Sequence, residues 1–176
     1  MTTRFEAEHA VEDGLLVRRA QHGDEAAFTR LYDRYVYFIH GVLLSRAAAT
    51  DVEDLVQEVF LTAWKNLGAL RDPAAFGGWL STIARNLATD LHRRDIESVE
   101  LPAGLAAPGT PGSGVEAAAV LDTIRSLPAA YRETLVLRLV EGMTGPEIAE
   151  RTGLTAASVR VNLHRGMKLL REKLNV

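Results

Sequence analysis

Apolar residues recur at spacings of one, three and four through most of the chain, the period of helices that each bury one face. Asp13 opens the first run, Leu15, Leu16, Val17 and Ala20, which stops at Gly23, a residue free to take the left-handed conformation that ends a helix. Asp24 then caps a run through Ala27, Phe28, Leu31, Tyr32, Tyr35, Val36, Phe38, Ile39, Val42 and Leu43. The third run, Asp51 to Leu67, sets Leu55, Val56, Val59, Phe60, Ala63, Trp64 and Leu67 in one broad stripe. A turn-rich loop from Gly68 to Pro73 precedes a fourth, Ala75 to Arg94, which buries Phe76, Trp79, Leu80, Ile83, Ala84, Leu87 and Leu91. The period then collapses from Ile96 to about Ala119, where prolines and glycines crowd together without a single basic residue, the composition of a flexible connector.

Beyond the connector, Ala119, Val120, Ile124 and Leu127 form one stripe, and Pro128 starts a helix carrying Tyr131, Leu135, Val136, Leu139 and Val140. Thr144 and Glu147 have the spacing of a capping box, with Ile148 and Ala149 packing inward behind it. Thr152-Gly153-Leu154 turns the chain, and Thr155 caps a last helix reaching about Leu174, with Val159, Leu163, Met167, Leu170 and Leu174 inside. The expected fold is all-α: two small helical domains, residues 1–95 and 120–176, joined by a flexible linker over 96–119.

A short helix, a glycine-containing turn and a longer basic helix make a helix-turn-helix, whose second helix enters a major groove. On that helix Arg160, His164 and Arg165 stand clear of the apolar stripe, with Thr155, Ser158 and Val161 at its start or flank. Arginine can grip guanine through two bonds, so Arg160 and Arg165 are candidates for base or adjacent phosphate contacts, and Lys168 and Arg171 for the DNA backbone. His164 reads as a groove-side contact rather than a metal ligand, since no second metal-type residue lies one turn away.

The outer faces in the first half are less decisive. Asp54, Gln57, Glu58 and Leu61 line one side of the third run, with no base before Lys65. First-turn acids oppose the helix macrodipole, so this is either a well-started amphipathic helix or a docking surface for a basic partner. The fourth run turns Thr82, Arg85, Asn86, Thr89, Asp90, Arg93 and Arg94 outward, either a solvated face with a cationic end or a set of groups for phosphates and bases.

Charge makes nucleic-acid binding conditional. The net charge is −3, yet from Arg151 onward six basic residues face one acid, Glu172. The acidic bulk opposes strong DNA binding by the whole chain, so a partner is expected to be needed. The lack of cysteine excludes a disulfide framework and direct thiol sensing and fits a reducing compartment. Neither a signal peptide nor a membrane-length apolar run is present, which points to a cytoplasmic protein without membrane insertion. No nucleophile constellation, glycine-rich phosphate loop or metal-ligand set appears, so no enzyme activity, cofactor or small-molecule substrate is expected.

Three stretches carry a family resemblance. Asp54-Leu55-Val56-Gln57-Glu58-Val59-Phe60 followed by Ala63-Trp64 resembles the core-polymerase-binding helix of extracytoplasmic-function (ECF) sigma factors, group IV of the sigma-70 family, the promoter-specificity subunits of bacterial RNA polymerase. Trp79-Leu80, Ile83-Ala84-Arg85-Asn86, Asp90 and Arg93-Arg94 resemble that family's −10 recognition helix, at the expected distance. Residues 127–174 resemble, over nearly their whole length, the domain that reads the −35 element. The resemblance implies that Asp54, Gln57, Glu58 and Leu61 hold bacterial core RNA polymerase, and that Leu70, Arg71 and Asp72 form the loop that captures a base flipped from the −10 strand. It further implies that Arg85, Asn86, Arg93 and Arg94 hold −10 DNA, that Thr155, Ser158, Arg160, Val161, His164, Arg165 and Lys168 meet −35 DNA, and that an anti-sigma factor regulates the chain. Val161 and Asn162 depart from the small polar and basic residues common in the family there, and Gly77-Gly78 lacks the basic residue often found before Trp79. The rival reading is a stand-alone LuxR-type helix-turn-helix regulator, which has no use for residues 51–67 or 75–94.

Overall fold

The computed structural model describes residues 2–98 and 113–175, with side chains described over 11–94 and 116–175. Among them lie eight α-helices and no strand: α1 (Thr2–Gln21), α2 (Glu25–Leu44), α3 (Val52–Asn66), α4 (Phe76–Ser98), α5 (Ser113–Arg125), α6 (Ala129–Leu139), α7 (Gly145–Thr152) and α8 (Ala156–Leu174). Single 3-10 turns at Ala49–Asp51, Leu67–Ala69 and Pro73–Ala75 join α2 to α3 and α3 to α4. Much of the expected linker, 99–112, lies outside the described residues, while its ends belong to α4 and α5.

The local signals work as chemistry. Asp24 accepts the Ala27 N–H at 3.0 Å, and Gly23 turns the chain at φ +90°. Thr144 and Glu147 close the capping box, Gly153 ends α7 at φ +74°, and Thr155 accepts the Ser158 N–H at 3.1 Å to start α8. These caps satisfy donors that the first turn of a helix otherwise leaves unpaired.

Two sequence expectations change. Asp13 does not open a helix but sits inside α1, where it is buried and accepts bonds from Arg34 Nη1 at 2.5 Å and the Tyr35 hydroxyl at 2.7 Å. Burial, then the Asp13 carboxylate, pushes the Tyr35 phenol above its ordinary value. The second change is on α6, whose Leu139 and Val140 are 48% and 50% exposed while Leu137 and Glu133 are buried. One face of α6 packs on its own half, where Gly166 of α8 lies against Leu135 and Tyr131. The other packs on α2: a Cβ built at Gly41 would stand 2.7 Å from Leu137 Cδ2 and 2.8 Å from Glu141 Cγ.

The two helical halves therefore share one apolar core in this structure. Polar groups fasten the seam. His40 Nδ1 lies 2.7 Å from Glu141 Oε1, Arg125 donates to the Leu44 carbonyl at 3.0 Å, and Arg151 donates to the Arg34 carbonyl at 2.6 Å with its guanidinium 4.4 Å from the Tyr35 ring centroid.

Candidate nucleic-acid and partner interfaces

On α3 the buried stripe of Val52, Leu55, Val56, Val59, Phe60 and Ala63 leaves the opposite face to solvent, so Asp54, Gln57, Glu58 and Leu61 are all exposed. Leu61 is 59% exposed. Gln57 and Leu61 also border an apolar groove between α2 and α3, with Phe28, Tyr32, Phe60 and Trp64. Its aromatic rings brace each other, Phe28 to Trp64 at 4.8 Å and Tyr32 to Phe60 at 4.6 Å between centroids. Sequence reasoning assigned Phe28, Tyr32 and Trp64 to the core alone. Their role on a groove wall was signalled only by the four-residue spacing of Phe28 and Tyr32 at the edge of the stripe.

The loop before α4 divides its candidates. Leu70 is buried, and its carbonyl and that of Leu67 accept Gln21 Nε2 at 2.8 and 3.0 Å, so its side chain anchors the loop rather than facing DNA. Arg71 and Asp72 are exposed, and the Asp72 carboxylate accepts the Ala74 N–H at 3.0 Å. Beside them an open hollow is lined by Val11, Leu15, Arg18, Asp72 and Pro73.

Along α4, Asn86, Arg93 and Arg94 are exposed, with Arg93 3.3 Å from Asp90. Arg85 is not free. Its Nη2 and Nε meet the two oxygens of Glu133 at 2.6 and 3.1 Å, and Arg46, in the turn just past α2, reaches the same carboxylate at 3.1 Å. Burial alone would push Glu133 up, but the Arg85 and Arg46 guanidiniums outweigh it and hold the carboxyl below its ordinary value.

α8 presents its whole outer face. Val159 and Leu170 are buried beneath it, and Thr155, Ser158, Arg160, Val161, His164, Arg165 and Lys168 are all exposed. The Thr155 and Ser158 hydroxyls lie 2.8 Å apart, so both serve the cap as well as the face. Lys168 has only a loose partner, Glu172 at 3.9 Å. Among the described residues no cluster of side chains suits a metal ion, and no helix is long and apolar enough to cross a membrane.

Comparison with known proteins falls on the same two halves. The Sigma-70 region 2 family matches residues 31–96 and Sigma-70, region 4 matches residues 117–170. The chain is 30% identical to the ECF RNA polymerase sigma-E factor of Haemophilus influenzae over 92% of this chain and 95% of that protein. It is 33% identical to the RNA polymerase sigma factor NccH of Alcaligenes xylosoxydans xylosoxydans, covering 87% of this chain and 89% of NccH. Among solved structures it is similar to CnrH in complex with the cytosolic domain of CnrY, with a TM-score of 0.65 and 30% identity over 93% of this chain and 97% of CnrH. A region 2 match that takes in both α3 and α4 is foreign to a stand-alone LuxR-type regulator, and nothing in these relatives favours that reading. The chain belongs to the extracytoplasmic-function sigma factors of the sigma-70 family.

Proposed function

We propose that this chain docks on bacterial core RNA polymerase in the cytoplasm through the outer face of α3, and that the docked chain opens promoter DNA. Asp54 and Glu58 supply negative charge for a basic partner, and Leu61 with the neighbouring aromatic groove supplies apolar area, the pairing of steering and burial that a specific interface needs. α8 reads the −35 element, with Arg160 and Arg165 toward base edges or the adjacent phosphates and Lys168 on the backbone. The loop at Arg71 and Asp72, with the hollow beside it, receives a base flipped from the −10 strand, while Arg85, Asn86, Arg93 and Arg94 hold that strand. Flipping costs a few kcal/mol of stacking, which the pocket must offset. No catalytic step is assigned to this chain; the chemistry is the polymerase's. An anti-sigma factor is the expected regulator.

The observation that carries this reading is the presence, on one chain, of an acidic, apolar docking face on α3 and a fully solvent-open basic reading face on α8. Transcription reconstituted from purified core polymerase on a promoter library tests it. Initiation selected by this chain is expected, and its failure sinks the reading. In the same assay, Asp54→Lys combined with Glu58→Lys is expected to weaken core affinity by at least about tenfold, the scale of one close interfacial charge pair.

A further inference from the structure

Reading two promoter elements at once requires reach. Elements near −10 and −35 lie roughly 25 base pairs apart, about 80 Å of duplex, whereas a compact chain of this length is only about 40 Å across. In the packed arrangement α7 lies against α4 and α6 against α2, so the halves must part before both elements are read. What holds them together is a seam with Glu133 at its centre. This carboxylate is 7% exposed, comes from the half that carries α8, and takes two bonds from Arg85 and one from Arg46. A carboxylate and a phosphate offer a guanidinium the same planar pair of acceptors.

The fit of the seam is written into the sequence twice. Gly41 lets α2 approach Leu137 and Glu141, and Gly77 lets α4 approach Tyr35 Cε1, 3.0 Å from its would-be Cβ, and the Arg151 carbonyl at 3.2 Å. The missing basic residue ahead of Trp79 thus leaves room for the other half.

We propose that Glu133 is an intrachain latch, its carboxylate occupying Arg85 in place of a −10 strand phosphate until the α5–α8 half is drawn away. The proposal rests on the sigma-factor reading. It withholds Arg85 from the −10 strand in the free chain, while the α8 face stays available throughout.

The test uses the full chain in two variants that leave Arg85 in place. Glu133→Gln removes the charge, and Gly41→Leu wedges α2 from α6 at Leu137 and Glu141 while leaving Glu133, Arg85 and Arg46 themselves unchanged. Each is studied free, by small-angle scattering and by fluorescence anisotropy with a labelled single strand taken from the −10 region of a promoter that the wild-type chain opens with core polymerase. Both variants are expected to enlarge the radius of gyration and to bind the strand about tenfold more tightly, the scale of one charge-assisted hydrogen bond. The gain is expected to vanish when Arg85→Ala is added, with affinity for duplex −35 DNA unchanged in all. A wild-type chain that initiates with core polymerase, beside variants that bind the strand no better, overturns the latch and leaves the sigma-factor reading standing. A gain that survives Arg85→Ala overturns it too. Should Glu133→Gln fail to fold, Gly41→Leu decides between these outcomes alone. A wild-type chain that never initiates removes the reading and the latch together.

Discussion

On α8 the candidate DNA contacts Arg160, His164, Arg165 and Lys168 all project into solvent, whereas on α4 the arginine in the middle of the corresponding face, Arg85, is clasped by a carboxylate from the other half. Both faces are basic and both lie opposite a well-buried stripe. They differ in what the rest of the chain does to them. α8 is seated within its own half, against α6 and α7, so its outer face is set by local packing. α4 is seated between halves, and its availability depends on where the second half lies. Equal chemistry on two helices therefore does not mean equal readiness, and the difference can be broken or sharpened from either side.

The strongest break removes the support under α8. Leu135 is fully buried on α6, against Gly166 of α8. Leu135→Ala is expected to cost about 2–5 kcal/mol, the range for emptying a well-packed leucine site. Urea denaturation measures the loss. Hydrogen exchange should show protection falling first in α6 to α8, with α2 and α3 holding. If protection in α2 and α3 falls equally, the shared core is one cooperative unit and the contrast between the helices fails.

A smaller change sharpens the contrast on the surface. Arg160→Ala is expected to lose about 1–3 kcal/mol of −35 affinity and to relax preference at one base pair, whereas Lys168→Ala should weaken all duplexes alike and reduce the salt slope by about one. Anisotropy titrations at several salt concentrations separate the two. Equal behaviour of the two variants toward matched and mismatched sites would remove base reading from Arg160.

How much of this was readable in advance follows from distance along the chain. Asp24, the Thr144–Glu147 box, Gly153 and Thr155 act on residues within four positions, and each was legible as local chemistry. The exposed faces of α3 and α8 were legible from helical period. The clasp of Arg85 by Glu133, 48 residues apart, has no local signature: a glutamate among apolar residues and an arginine on an outer face each look like ordinary solvated groups. The same blindness misassigned α6, where Leu137 and Glu133 face α2 and the expected Leu139 and Val140 do not. Gly41 and Gly77 were the faint trace, isolated glycines within helical patterns that a close approach explains. The inward turn of the Leu70 side chain was hidden for a different reason, since a loop position shared with a DNA-reading family says nothing about which of its side chains is buried.

The smallest expected effect lies in the cap of α7, the helix that supports α8. The Thr144 hydroxyl, then its backbone N–H, holds the Glu147 carboxyl below its ordinary value, with bonds of 2.7 Å each. Because the folded value is depressed, this stabilisation is fully present above the ordinary glutamate range of about 4.3 and is lost as pH falls through the lower folded value. Thr144→Ala should therefore cost about 1 kcal/mol at pH 7, the usual worth of an N-cap hydroxyl. In acid the cost should shrink, because the wild type has then already lost the reciprocal bond. Urea denaturation of both chains at pH 7 and near pH 3 makes the comparison, with −35 binding at pH 7 as a second readout. The effect belongs to the α8 side alone, so −10 strand binding by the docked chain should not change. A cost that is the same at both pH values would mean the threonine hydroxyl caps α7 by itself, with Glu147 a bystander in solvent.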